Sequence, residues 1–262
     1  MKRSILVALF TVALAAPSFA DVTVKSAMAG KGMGGGGTMT STTYIKGNKM
    51  RSDVVNGDTT RTTIFDVDTQ KMISFDSNKK EADVFDMQKM GADMAKNVQV
   101  GEMKASIKPN GQTKQIAGKS ATGYDMEISV PATMGGAGGM KMTVNLVGPL
   151  WIVKGAPGTA EYLAFYKNAL DKGWFFSDPR VAKAQPGTAK AMAEVYRQLA
   201  STGGIPYEQE MNVKISADGP AAAMFAKMGN MTTTTTVTAV ETGALAADLF
   251  AVPAGYKLKE QK

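Results

Sequence analysis

Methionine supplies the most unusual chemistry in this 262-residue chain, which contains 19 of them and neither histidine nor cysteine. Met87, Met90 and Met94 stand at i, i+3 and i+7. Met224, Met228 and Met231 stand at i, i+4 and i+7, although Met231 also fits the strand that follows. Both spacings gather thioethers on one face of a helix. Thioethers are soft ligands that select Cu(I). Such stripes also serve as adaptable core packing, or as the compliant wall of a cavity that accepts varied apolar tails. The residues leave these three readings open, and no cofactor is expected.

Other candidate constellations fail on their spacing. Without histidine or cysteine the common nucleophile–base pairs and zinc sites are excluded, and no enzymatic activity is expected. Asp66 and Asp68 share a strand face beside a turn, where turn chemistry accounts for them better than acid–base work. A calcium loop opening at Asp66 would need glycine where Lys71 stands. Gly30-Lys31-Gly32-Met33-Gly34-Gly35 fits a dinucleotide pattern, but strand-like residues follow it instead of the required helix. Gly118-Lys119-Ser120 resembles the end of a phosphate loop, yet Thr113 replaces its first glycine. The last candidates are aromatic: Tyr162, Tyr166, Trp174, Phe175 and Phe176 form either a lid over a cavity or the cap of an ordinary core.

The elements that must position these residues are mostly strands. Thr42 to Phe85 alternates Thr, Val, Ile and Phe with breaks at Gly47-Asn48, Asn56-Gly57, Asp68-Thr69-Gln70 and Asn78-Lys79-Lys80, the pattern of an antiparallel meander. Asn56-Gly57 is the clearest two-residue hairpin signal. Asp86 reads as the N-cap of a helix over Met87 to Lys96. Strands are predicted over Asp21 to Ala27 and Val98 to Lys108, followed by a turn at Pro109-Asn110-Gly111 and a hairpin pairing Gln112–Ala117 with Thr122–Val130. Further strands fall over Lys141 to Val147, Leu150 to Val153, Tyr207 to Ala217 and Met231 to Glu241. Helical spacing marks Thr159 to Leu170 and Thr188 to Ala200, the latter carrying Met192, Val195, Tyr196 and Leu199 on one face, and a short helix over Pro220 to Met228. Leu249 to Leu258 reads as a closing turn and edge segment.

Address is written at the start. Met1-Lys2-Arg3, the apolar run Ile5 to Ala16 and the small-x-small site Ser18-Phe19-Ala20 form a secretory signal peptide over residues 1–20. One domain over residues 21–262 is expected to follow, periplasmic or secreted, with no transmembrane segment and no lipobox cysteine. The whole chain carries a net charge of +7, and removing Lys2 and Arg3 leaves +5. The basic residues are scattered, so nucleic acid is not an expected partner.

Several stretches together carry a resemblance. They are Tyr44-Ile45-Lys46-Gly47-Asn48-Lys49-Met50-Arg51, Ile64-Phe65-Asp66, Met72-Ile73-Ser74-Phe75-Asp76, Lys80 to Phe85, Ile116 to Tyr124 and Phe250 to Tyr256. In layout the chain resembles the periplasmic lipoprotein-carrier (Lol-type) superfamily, and is especially similar to an exported bacterial domain family of unknown function near that fold. The resemblance implies an open half-barrel of antiparallel strands whose hollow is plugged by helices and accepts acyl chains. The carriers' early Arg-Pro pair has no counterpart at Ile45-Lys46-Gly47-Asn48, so no functional residue transfers.

The expectation is therefore a mainly β protein with α elements (α+β). Its large curved antiparallel sheet is plugged by amphipathic helices near residues 87–96, 159–171 and 188–200. A lipid or acyl chain would lie between sheet and helices, against Met87, Met90, Met94, Tyr162, Tyr166, Met192 and Tyr196. The alternatives are an envelope interaction module with a filled core and a protein partner, and a methionine-based Cu(I) protein.

Overall fold

The computed structural model describes residues 20–31, 37–101, 103–134, 139–174, 186–219, 222–223 and 231–261. Residues 1–19 of the expected signal peptide lie outside them. So do Phe175, Phe176, most of the expected Pro220–Met228 helix and the side chain of Met94.

The described residues are mainly β and form one open sheet of thirteen strands. Its first half is the expected meander: β1 (Val22–Lys31), β2 (Gly37–Lys46), β3 (Lys49–Asn56), β4 (Thr59–Asp66), β5 (Lys71–Asp76) and β6 (Glu81–Asp86). Helix α1 (Met87–Asn97) follows, capped where the Lys89 amide donates to Asp86 Oδ1 at 2.9 Å. The second half comprises β7 (Val98–Val100), β8 (Lys104–Ile116), β9 (Lys119–Met134) and β10 (Met140–Lys154). It continues with α2 (Thr159–Asp171), α3 (Pro186–Ser201), β11 (Gly204–Ala217) and β12 (Met231–Thr242). Across the sheet the order is β6-β5-β4-β3-β2-β1-β12-β11-β10-β9, with β7 and β8 both paired to β9. No helix among the described residues is long and apolar enough to cross a membrane.

Three local expectations are corrected. Asn56 pairs with Thr59, so the two-residue loop is Gly57-Asp58 and the positive φ falls on Gly57 (58°) rather than on an Asn-Gly pair. That is the primed hairpin with glycine leading, whose twist matches the flanking strands. The expected turn at Pro109-Asn110-Gly111 is instead an irregularity inside one long strand, because Lys104–Pro109 and Thr113–Ile116 both pair with β9. The hairpin loop itself is Ala117-Gly118. Finally, the sheet is mixed rather than wholly antiparallel: β13 (Lys257–Glu260) pairs parallel with β6.

That last strand ends a strap across one face of the meander. From Leu245 the chain passes through a short 3-10 helix, Ala247–Phe250, and packs Phe250, Leu249, Val252 and Tyr256 against Ile64, Phe75 and Ala82. Lys46 Nζ and Arg51 Nη1 donate to the carbonyls of Leu245 (2.7 Å) and Leu249 (2.9 Å), and the Leu245 amide donates to Asp21 Oδ2 (2.7 Å). Strands β4, β5 and β6 are thereby covered on both faces, which explains the consecutive buried residues Ile64-Phe65, Ser74-Phe75 and Val84-Phe85.

The opposite face carries the helices. Helix α2 packs against β2, β11 and α3, while α3 lies over β8, β9, β10 and β11. Under α3 an apolar core forms from Ile128, Val130, Val144, Leu146, Leu150 and Ile152 with Val195 and Leu199. Under α2 a second core gathers Val22, Ile45, Met50, Phe65, Met72 and Phe85 around Phe165.

Candidate functional site: a hollow between sheet and helices

The register of the meander sets the side chains on its helix-covered face into rows. Residues directly opposite in paired strands share a face, and each step of two residues moves about 7 Å along the strands. The first row, from β1 to β6, is Val22, Ile45, Met50, Phe65, Met72 and Phe85. It is wholly apolar, and no member is more than 6% exposed. The second row is Val24, Thr43, Ser52, Thr63, Ser74 and Asp83. The third is Ser26, Ser41, Val54, Arg61 and Asp76. Polarity therefore rises along the strands, away from the start of α2.

A hollow of about 380 Å³ lies along this gradient. Met50, Phe65 and Met72 line its apolar end, Thr43, Ser52 and Thr63 its middle, and Ser26, Ser41 and Arg61 its outer part. Strands β11 and β12 supply Ile205, Gln209, Thr235 and Val237. Arg61 is the single charged side chain among the described lining residues.

Three tyrosines form the helical wall. Tyr162 and Tyr166 are one turn apart on α2, with ring centroids at 4.7 Å, and Tyr196 of α3 stacks on Tyr166 at 4.8 Å with the planes 8° apart. The Tyr166 hydroxyl points to Met50 Sδ at 3.8 Å, so this wall closes onto the apolar row. Burial pushes all three phenols above the ordinary tyrosine value; for Tyr166 both neighbouring tyrosines add to the effect, while for Tyr162 the neighbouring Tyr196 adds to it and a hydrogen bond with Tyr166 opposes it. The hydroxyls are accordingly neutral around pH 7 and offer hydrogen bonds without charge. Helix α2 is held over the meander by Glu161, buried on its first turn, whose carboxylate accepts the Gly47 amide at 2.6 Å.

The structure brings together Tyr162, Tyr166 and Tyr196 of the residues singled out from sequence. Met87 and Met90 belong to the apolar core, 3% and 6% exposed, outside the wall of the hollow. Met192 packs on the other core, beneath α3. Met94, Met224 and Met228 have no described side chains, and Met231 lies in β12 rather than on a helix. The hydroxyl rows and Arg61 escaped the sequence reading, because each is an ordinary polar residue of an alternating strand. Only correct register across four turns aligns them. Asp66 serves its turn, accepting the amides of Asp68 and Thr69 at 3.1 Å.

No family model matches the chain. No curated protein matches it either. Among solved structures, PNGF-II in two crystal forms is similar at TM-scores of 0.33, with 10% and 11% identity over 92% of this chain. The chain spans about a third of the length of those proteins (32% and 31%). At that TM-score the likeness carries no argument about fold or function.

Proposed function

We propose that the protein is an exported binding protein that holds a hydrophobic ligand, a lipid or acyl chain, in the hollow between the sheet and helices α2 and α3. In this reading the sheet is a half-barrel, the two helices are its plug, and residues 1–20 are removed on export. The Lol-type resemblance of the sequence agrees with it. The observation that carries the reading is the hollow itself: about 380 Å³, walled at one end by Met50, Phe65, Met72 and three neutral tyrosines. Specific small-molecule sites fall in the range of about 300–1,000 Å³ and are mostly apolar with a few placed polar groups. Burial supplies the driving force, at about 0.8 kcal/mol per methylene taken from water. The role proposed is binding and carriage, without catalysis.

Native mass spectrometry of protein purified without detergent tests this. A bound mass released on denaturation and extractable into organic solvent is expected. Ser52→Phe, which places a ring in the middle of the hollow, should abolish that mass while the fold persists by circular dichroism. An apo mass that stays clean after incubation with lipid vesicles would overturn the proposal and favour a filled-core envelope module acting on a protein partner. Under that second reading the apolar core beneath α3 and the buried Met87 and Met90 are simply scaffold.

A further inference from the structure

We infer that the ligand is an uncharged amphiphile, an aliphatic chain ending in a head of ester and hydroxyl oxygens, as in a monoacylglycerol. Its chain lies against Met50, Phe65 and Met72, and its head lies among the hydroxyls of β1 to β4. This inference rests on the binding role proposed above and names the chemistry of its ligand.

Strand register builds the head site. Thr43, Ser52 and Thr63 stand directly opposite one another on β2, β3 and β4, which puts neighbouring Cβ atoms about 4.5–5.5 Å apart. Ser26 and Ser41 face each other on β1 and β2, one step of about 7 Å farther from the apolar row. All five line the hollow. No side-chain hydrogen bond ties any of them to another described residue. Among the described residues the single enclosed side-chain donor or acceptor without a partner is Trp174 Nε1, so the five hydroxyls are open to the hollow rather than sealed.

These two zones make different demands on whatever fills them. A ligand polar throughout would give up its water against Met50, Phe65 and Met72 and gain no partner there. One apolar throughout would cover the hydroxyls and leave them unpaired. An amphiphile with its head among the hydroxyls satisfies both zones.

Charge then selects the kind of head. No carboxylate or amine stands among the described lining residues, and the one cation, Arg61, is already engaged within the protein. An ionic head drawn into the hydroxyl rows would shed its water without meeting a free counter-charge. A hydroxyl both donates and accepts, which matches the carbonyl of an ester and the hydroxyls of a polyol. A carboxylate only accepts, and a quaternary ammonium does neither.

The experiment compares three ligands that share a ten-carbon chain: 1-decanoylglycerol, decanoate at pH 8 and decyltrimethylammonium, each kept below its micellar concentration. Binding to the delipidated full chain is read by titration calorimetry and by displacement of N-phenyl-1-naphthylamine, an uncharged fluorescent probe. The glyceride is expected to bind about tenfold more tightly than either ion, the factor that two hydroxyl hydrogen bonds of ordinary net worth supply. The triple variant Thr43→Val, Ser52→Ala, Thr63→Val removes three hydroxyls and keeps the strands' shape, with circular dichroism and the thermal midpoint checking the fold. It should weaken the glyceride about tenfold and each ion by less than about threefold. The ranking in the unaltered protein is a test by itself. Binding of either ion as tightly as the glyceride would overturn the head-group assignment while the binding role stood. An unchanged glyceride affinity in the triple variant, or an equal loss for all three ligands, would overturn it too. If neither the probe nor any of the three ligands bound, the binding role itself would fall.

Discussion

Replacing Gly158 by alanine, with Gly155 as its control, separates backbone strain from crowding at the base of the hollow. Both glycines precede α2 and both hold positive φ, 76° at Gly158 and 68° at Gly155. A side chain in that region costs about 1–2 kcal/mol in either position. A Cβ at Gly155 would meet nothing within 4 Å, so its cost ends there. One at Gly158 would lie 2.2 Å from Val22 Cγ2 and 3.1 Å from Thr242 Cγ2, and Val22 is fully buried. Helix α2 would have to lift from the β1–β12 seam, adding an overpacking cost of about 1–3 kcal/mol. Gly155→Ala should therefore lose about 1–2 kcal/mol and Gly158→Ala about 2–5 kcal/mol in urea unfolding. At about 2–4 °C per kcal/mol for a domain of this size, the two Tm values should differ by several degrees. Equal losses for the two variants would refute the argument that close approach, rather than φ, fixes glycine at 158.

Alkaline titration followed at 295 nm should find the absorbance of Tyr162, Tyr166 and Tyr196 missing until the protein unfolds. Their folded values are raised by burial while the unfolded chain titrates near 10, so their contribution to stability is complete below about pH 10 and is lost as pH rises above it. Changing all three to Phe should move the alkaline unfolding midpoint upward, and no movement would argue against their burial. Phe250→Ala, which empties the centre of the strap, should cost about 3–5 kcal/mol in chemical denaturation, whereas a loss below 1 kcal/mol would mean the strap is not part of the cooperative core. Glu161→Ala leaves the Gly47 amide without its acceptor and should cost about 1–3 kcal/mol, with Glu161→Gln recovering part of it; identical losses would assign the effect to packing alone.

The meander and the three helices were legible because their signals are local: alternation, turn residues, an Asp86 cap and helical spacing. The tyrosine wall was legible for the same reason, since Tyr162 and Tyr166 lie one turn apart and Tyr196 falls on the inner stripe of its own helix. Spacing could not separate Met87 and Met90 from that wall. A core-facing residue and a cavity-facing residue obey one periodicity, and only the seating of the helix tells them apart. The closing turn and edge segment were legible too, but not the face on which the strap docks. Residues 245–260 carry no periodicity of their own, and their partners on β2–β6 lie about 170–200 positions earlier. The paired buried positions of β4, β5 and β6 were the available clue, because Ile64-Phe65 and Val84-Phe85 require cover on two faces.

The seam between β1 and β12 bears on how the chain reaches this state. Val22 pairs with Thr242 in the middle of the sheet, about 220 residues apart, whereas β2 to β6 and β8 to β10 pair with near neighbours in sequence. The two halves can form early from short loops, and the seam that joins them waits for the largest loss of chain entropy. Until residue 242 has been delivered, β1 is an open edge of Val, Ala and Met with no strand on its far side, a template for pairing with another chain. Folding of this protein is therefore a race between its own twelfth strand and any other strand that reaches that edge first, with a rate set by topology rather than by stability.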